Sequence, residues 1–256
     1  MIHFVELPSL PKNSETLIIG EKYKELLEKP LEKAEVSPLF VPNNPSVDCR
    51  LSGHADLSAF HAGGKRLFLA PYLRGTELEK RLLDFGAEIS FPELRQEQKY
   101  PYDAALNACS AGKWLIYCEK VTAREIVYYF TITGDVKLIS SRQGYAGCSV
   151  CIVDADSIIT SDAGIAKSAK AQGLEVLQIR CGYIELPGFD YGFLGGAAFK
   201  VAEKTLAFTG RLDMHPDRDL ILGFLSKHDI EPLFLTDENI FDIGGGIPLT
   251  EKQLRK

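Results

Sequence analysis

The sequence predicts an α/β ring of five ββαβ units, closed by the two ends of the chain. Three observations carry this. Four strand–turn–strand segments recur at matched spacing, each is followed by a helix signal and a short apolar strand, and the two chain ends supply complementary halves of a fifth unit. Residues 1–256 are read as one domain, a length that closed folds accommodate without subdivision.

The first hairpin is "DLSAFHAGGKRLFLAP", with its turn at Gly63 and Gly64. The second is "AALNACSAGKWLIYC", turning at Ala111 and Gly112, and the third "CSVCIVDADSIITSD", turning between Asp154 and Ser157. The fourth, "LGGAAFKVAEKTLAFTG", turns between Ala202 and Thr205. Gly63 to Ala111 and Asp154 to Ala202 are both steps of 48 residues. A helix follows each hairpin. Thr76 with Glu79 and Thr122 with Glu125 read as capping boxes, and Gly86 as a helix stop. Ser161 or Asp162 caps the third helix, which ends at Gly173, and Pro216 opens the fourth near its first turn. Short strands "AEISF", "VKLIS", "EVLQI" and "PLFLT" close the units. The N-terminal "TLIIG", "EKYKELLEKPLEKA" and "PLFVP" give strand, helix and strand without a first strand; the C-terminal "FDIGGGIPLT" supplies it. Joining the ends closes the ring and is expected to leave no edge strand over.

Composition bounds the function. A hydrophobic fraction of 45% and a charged fraction of 25% fit a globular protein with a sizeable core. A net charge of −6 argues against nucleic acid or an anionic membrane as main partner, because both call for a basic face. No apolar run approaches the ~20 residues of a membrane-spanning helix. "MIHFVELPSLPKNSE" lacks the basic start and apolar core of a secretory leader, so a cytoplasmic protein is expected. The six cysteines are then free thiols by default.

The chain resembles the pentein fold, the five-bladed α/β propeller of guanidino-group-modifying enzymes. "VDCRLSGHADLSAF", "GYAGCSVCIVDADSIIT", "PGFDYGFLGGAAF" and "FDIGGGIPLT" carry the resemblance, which spans nearly the whole chain. The family includes arginine and agmatine deiminases, dimethylarginine hydrolase and amidinotransferases, together with a non-catalytic ribosome anti-association factor. It implies a cysteine nucleophile, a histidine acid and base, and carboxylates that grip a guanidinium. Asp56 matches the family's first substrate-binding carboxylate. The catalytic histidine would fall within Tyr145 to Gly147, where none stands, and the nucleophile would follow the last glycines, where Pro248 and Leu249 stand. The resemblance therefore implies a bacterial branch without the usual catalytic pair.

In such a ring the first strand of each hairpin borders a central pocket. His54 and Asp56, two apart, share a face of a strand and could serve as base and orienter, or could satisfy loop backbone. Asp103 and Asn107, four apart, could bind a cation or amine, or Asp103 could cap a turn after Pro101. Cys148 and Cys151 form a CxxC without a second pair, which gives zinc and redox readings little support. On a strand the two point oppositely, so Cys148 is the expected pocket thiol, with Cys109 as rival. Asp190, Tyr191 and Asp242 complete the expected ligand-binding set. Asp213, His215, Asp217 and Asp219 read as acidic residues at a helix start rather than as metal ligands. "LGGAAF" and "IGGG" lack the GK[ST] ending of a phosphate loop and read as close backbone approach. No cofactor or metal is expected. The ligand expected is a small cationic or amine-like molecule. Two functions stand open: a hydrolase or transferase using non-standard residues, and a non-catalytic ring that binds a ligand or a protein partner.

Overall fold

A computed structural model describes residues 2–94, 99–133 and 136–252. A short β1 (His3–Phe4) precedes β2 (Ser14–Gly20), α1 (Lys24–Lys33) and β3 (Ser37–Val41). The first internal unit is β4 (Ala59–His61), β5 (Arg66–Leu69), α2 (Glu77–Phe85) and β6 (Glu88–Ser90). The second is β7 (Cys109–Ala111), β8 (Trp114–Cys118), α3 (Arg124–Thr133) and β9 (Lys137–Ser141). The third is β10 (Cys151–Ile152), β11 (Ser157–Thr160), α4 (Ala163–Ala171) and β12 (Glu175–Gln178). The fourth is β13 (Ala198–Ala202), β14 (Thr205–Phe208), α5 (Arg218–Lys227) and β15 (Glu231–Phe234), and β16 (Ile247–Glu251) ends the series.

In each internal unit the first two strands pair antiparallel and the third joins parallel to the second. β16 pairs antiparallel with β2, and β2 parallel with β3, so the two chain ends build the fifth unit as expected. β1 adds antiparallel to β16 on the side away from β2.

The middle strand of every unit is apolar on both faces, and the period of two sends each face to a different neighbour. Ile18 of β2 packs with Leu67 and Leu69 of β5, while Leu17 and Ile19 pack with Phe199 and Val201 of β13. Phe68 of β5 turns to Leu115 of β8, and Trp114 and Ile116 of β8 turn to Ile158 of β11. Ile159 then meets Leu206 and Phe208 of β14, and Ala207 of β14 returns to Leu17 and Ile19. Five apolar seams thus join five blades in a ring. The blades are separate sheets, each with an outer edge strand, joined by packing and by hydrogen bonds between their axial turns, such as Gly196 N to Cys148 O and Gly245 N to Gly196 O. The expectation of no leftover edge is corrected accordingly. These edges are three to five residues long, which limits what they can template.

Caps set the helices. Thr76 Oγ1 accepts from Glu79 N at 3.3 Å, the Glu79 carboxylate accepts from Gly75 N, and Gly86 ends α2 in the left-handed region at φ 91°. Asp162, not Ser161, caps α4, accepting from Ile165 N at 2.7 Å. The box expected at Thr122 does not form, because Thr122 Oγ1 accepts from Cys118 N instead and α3 begins at Arg124. Pro216 lies one residue ahead of the α5 N-cap, Asp217.

Candidate functional site

The site is built by the turns that lead into the first strands. β10 contacts β13, β13 contacts β16, and β16 contacts β4, so these turns crowd one axis. Asp56, Cys148, Gly195 and Gly244 each stand three residues ahead of their strand. Two of the four positions carry functional groups and two carry none. A Cβ on Gly244 would lie 2.4 Å from His54 Cβ and 2.7 Å from Asp56 Oδ1, and one on Gly196 would lie 2.0 Å from Asp242 Oδ1. The axial glycines therefore leave the room that His54, Asp56 and Asp242 occupy.

His54 and Asp56 do not share a strand face as expected. His54 caps a 3-10 turn, Ala55–Leu57, and the turn rather than a pleat aims both side chains inward. Cys148 likewise sits in the tight turn 146–149 and not on a strand; β10 starts only at Cys151, which packs in the seam with Val153 and Ile159. The Cys148 thiol donates to Asp56 Oδ2 at 2.7 Å. Asn107 clamps it from the second blade: its Nδ2 donates to Cys148 Sγ at 3.3 Å and its Oδ1 accepts from Cys148 N at 3.1 Å. His54 Nδ1 lies 3.9 Å from Asp242 Oδ1. Asp242 accepts from Phe193 N at 2.8 Å and from Gly244 N at 2.9 Å, which joins the fourth and fifth turns. His54 Nε2 and Asp56 Oδ1 are buried without a hydrogen-bond partner.

Burial dominates the electrostatics. It pushes the Asp56 carboxyl up to about 8 and the Asp242 carboxyl up to about 6, and the His54 imidazole down to about 3. The Cys148 thiol is raised well above its ordinary value by burial first and by Asp56 and Asp242 next. Burial and the same two carboxylates also raise the Tyr23 phenol, whose ring centre lies 6.4 Å from that of His54.

His54, Cys148 and Asp242 form the floor of a cavity of about 410 Å³. Its walls are largely aromatic: Tyr100 and Tyr145 lie 5.1 Å apart by ring centre, and Tyr191 and Phe193 lie 6.0 Å apart. Asp190 and Tyr191 stand exposed at its rim. None of the described residues lining it is Lys or Arg. Asp103 is buried, and its Oδ2 accepts from the Tyr145 hydroxyl at 2.6 Å, which fixes the Tyr145 ring in the wall. Asp56 reaches this floor through its bond to Cys148 and itself borders a smaller cavity of about 90 Å³, where Cys109, His61 and Lys200 lie. Cys109 is thus set apart from the His54–Asp56–Cys148 group, and burial raises its thiol beside Cys151.

Tyr23, Tyr100, Gln143, Tyr145 and Phe193 were not singled out as site residues by the sequence. The one signal was Tyr145, which stands in the stretch where the resemblance expects a histidine. Asp213, His215, Asp217 and Asp219 form no ligand cluster: Asp217 pairs with Arg180 at 2.5 Å, and Asp213 with Arg218 at 3.2 Å.

No curated protein matches the chain by sequence. Solved structures match its fold. An amidinotransferase of the saxitoxin biosynthetic pathway from Microseira wollei superposes with a TM-score of 0.65 at 10% identity, covering 98% of this chain and 99% of that one. An inosamine-phosphate amidinotransferase from Streptomyces griseus gives 0.58 at 10% identity, covering 100% and 98%. An agmatine deiminase from C. jejuni gives 0.55 at 10% identity, covering 98% of each chain. These likenesses establish the pentein fold. A family model described as "Family of unknown function (DUF6873)" matches residues 18–247, and the chain belongs to that family.

Proposed function

We propose that the axial cavity binds a small amine- or guanidine-like cation and that the protein acts on it as a hydrolase or transferase through Cys148. The carrying observation is the floor itself: a thiol hydrogen-bonded to Asp56, whose second oxygen has no partner, beside a buried imidazole and a second carboxylate. A planar cation with several N–H donors supplies what Asp56 Oδ1 lacks, and the Asp242 carboxylate adds a second negative group beside it. Aromatic walls without Lys or Arg favour the same charge type.

In this reading Asp56 and Asp242 orient the cation with its central carbon over Cys148. The thiol proton passes to Asp56 as the sulfur forms a bond to that carbon. The carbon–nitrogen bond breaks, and the leaving amine takes a proton from Asp56 or, through Nε2, by way of His54. Water or an acceptor amine then attacks the same carbon, the carbon–sulfur bond breaks, and the thiol regains its proton. Asn107 positions the sulfur, and Asp103 positions Tyr145. The nucleophile would come from the third blade, whereas the enzymes this chain resembles keep theirs in the fifth.

A second reading, a ring that binds without catalysis, is favoured by the depth at which the thiol is held protonated. Incubation with guanidines and amines followed by intact mass and product analysis separates the two. A covalent adduct on Cys148 or a released amine supports catalysis; binding with neither supports the ring.

A further inference from the structure

We propose that His54, Asp56 and Cys148 also constitute a site for a thiophilic divalent cation of the zinc type, bound on the floor of the cavity in exclusion of the organic ligand. One nitrogen, one oxygen and one sulfur donor from these residues lie within 4.8 Å of one another. Zinc takes such mixed donors at about 2.0–2.3 Å in a tetrahedron, so modest side-chain adjustment closes the set on one ion.

Two further observations point to a ligand there. His54 is 2% exposed and its Nε2 has no partner, and Asp56 Oδ1 is buried without one. An imidazole nitrogen and a carboxylate oxygen left unsatisfied together are unusual in a packed protein. The surroundings also resemble a metal site's outer contacts. Asp242 faces His54 Nδ1, where a carboxylate orients a ligating imidazole, and Asn107 donates to the sulfur. A single thiolate, a single imidazole and one carboxylate suit zinc, cobalt or nickel, and are poor for magnesium or calcium, which want oxygen cages. His54 and Cys148 both line the cavity, so an ion held by them would have room for an exchangeable fourth ligand. The site is distinct from the CxxC pair, because Cys151 belongs to the core.

The test uses the reduced, chelator-stripped full chain under anaerobic conditions. Cobalt(II) is added and the thiolate-to-cobalt charge-transfer band is recorded; zinc is titrated calorimetrically. The expected result is one ion per chain, with the band lost and zinc affinity reduced about 100-fold or more in Cys148→Ser and in His54→Ala. Thermal unfolding verifies that each variant is folded, and Asp56→Asn provides a third, nearly isosteric probe. Cys151→Ser and the Cys49→Ser/Cys181→Ser double variant keep the band. No band in the wild-type protein, or a band that survives Cys148→Ser and vanishes with the exposed cysteines, overturns the proposal. Guanidine binding measured on the same metal-free protein is a separate reading: it can fail while the metal site stands, or stand while the metal site fails.

Discussion

Replacing Gly244 by alanine tests whether the axial glycines exist to make room for the floor. Gly244 has φ +73°, and an added Cβ meets His54 Cβ at 2.4 Å and Asp56 Oδ1 at 2.7 Å. The left-handed backbone alone costs a non-glycine residue about 1–2 kcal/mol. Forcing a methyl into a packed site adds about 1–3 kcal/mol. The sum is about 2–5 kcal/mol, or a fall in melting temperature of roughly 4–20 °C at 2–4 °C per kcal/mol for a chain of this size. Gly173 is the control: φ is +93° and an added Cβ meets nothing within 4 Å, so Gly173→Ala reports the backbone term alone. Urea titrations of both variants at equal m-value give the difference directly. Equal destabilisation of the two, within about 0.5 kcal/mol, refutes the crowding argument, since that is roughly the scatter of such comparisons.

Lys200 is buried, and burial lowers its ammonium to about 8, so the native state sheds a proton that the unfolded chain keeps up to its ordinary value near 10.4. Unfolding free energy should therefore rise between about pH 8 and 10.4, with a slope of at most about 1.4 kcal/mol per pH unit, and Lys200→Met should flatten it; an unchanged slope rejects the assignment. Asp162→Ala and Thr76→Ala should each lose about 1 kcal/mol by removing caps, whereas Thr122→Ala, whose hydroxyl accepts from Cys118 N instead, should leave the N-terminal capping of α3 unaltered in amide exchange. A thiol reagent should label Cys49 and Cys181 rapidly in the native protein and Cys148 only at the rate of opening; rapid native labelling of Cys148 contradicts its burial.

The blades were legible because their middle strands are apolar on both faces: "LIIG", "RLFL" and "SIIT" read as short buried strands from sequence alone, and the complementary ends followed from what the repeat lacked. The residues of the floor were legible as candidates but not as an arrangement. His54 and Asp56 suggested a strand by their spacing, yet a 3-10 turn delivers them, and nothing in a two-residue step distinguishes the two. The contact that matters most joins Asp56 to Cys148 across 92 residues, and Asn107 reaches Cys148 across 41. Such pairs exist only once the ring is closed. Choosing between Cys148 and Cys109 needed the same closure, because Cys148 precedes its strand by three residues while Cys109 begins its own. Thr122 misled because a hydroxyl that fits a cap by sequence was taken by a nearer backbone donor.

Recognition of a small cation by the axial floor through Asp56 is open to direct measurement. Isothermal titration of metal-free protein with a panel of guanidines and amines, repeated with Asp56→Asn, addresses it most directly. Saturable binding of at least one such cation is expected, with a loss of about tenfold or more in Asp56→Asn, the amount that follows when a charge-assisted hydrogen bond of roughly 1.5–3 kcal/mol is removed. Binding that is unchanged in Asp56→Asn, or no binding by any member of the panel to the folded wild-type protein, would contradict it.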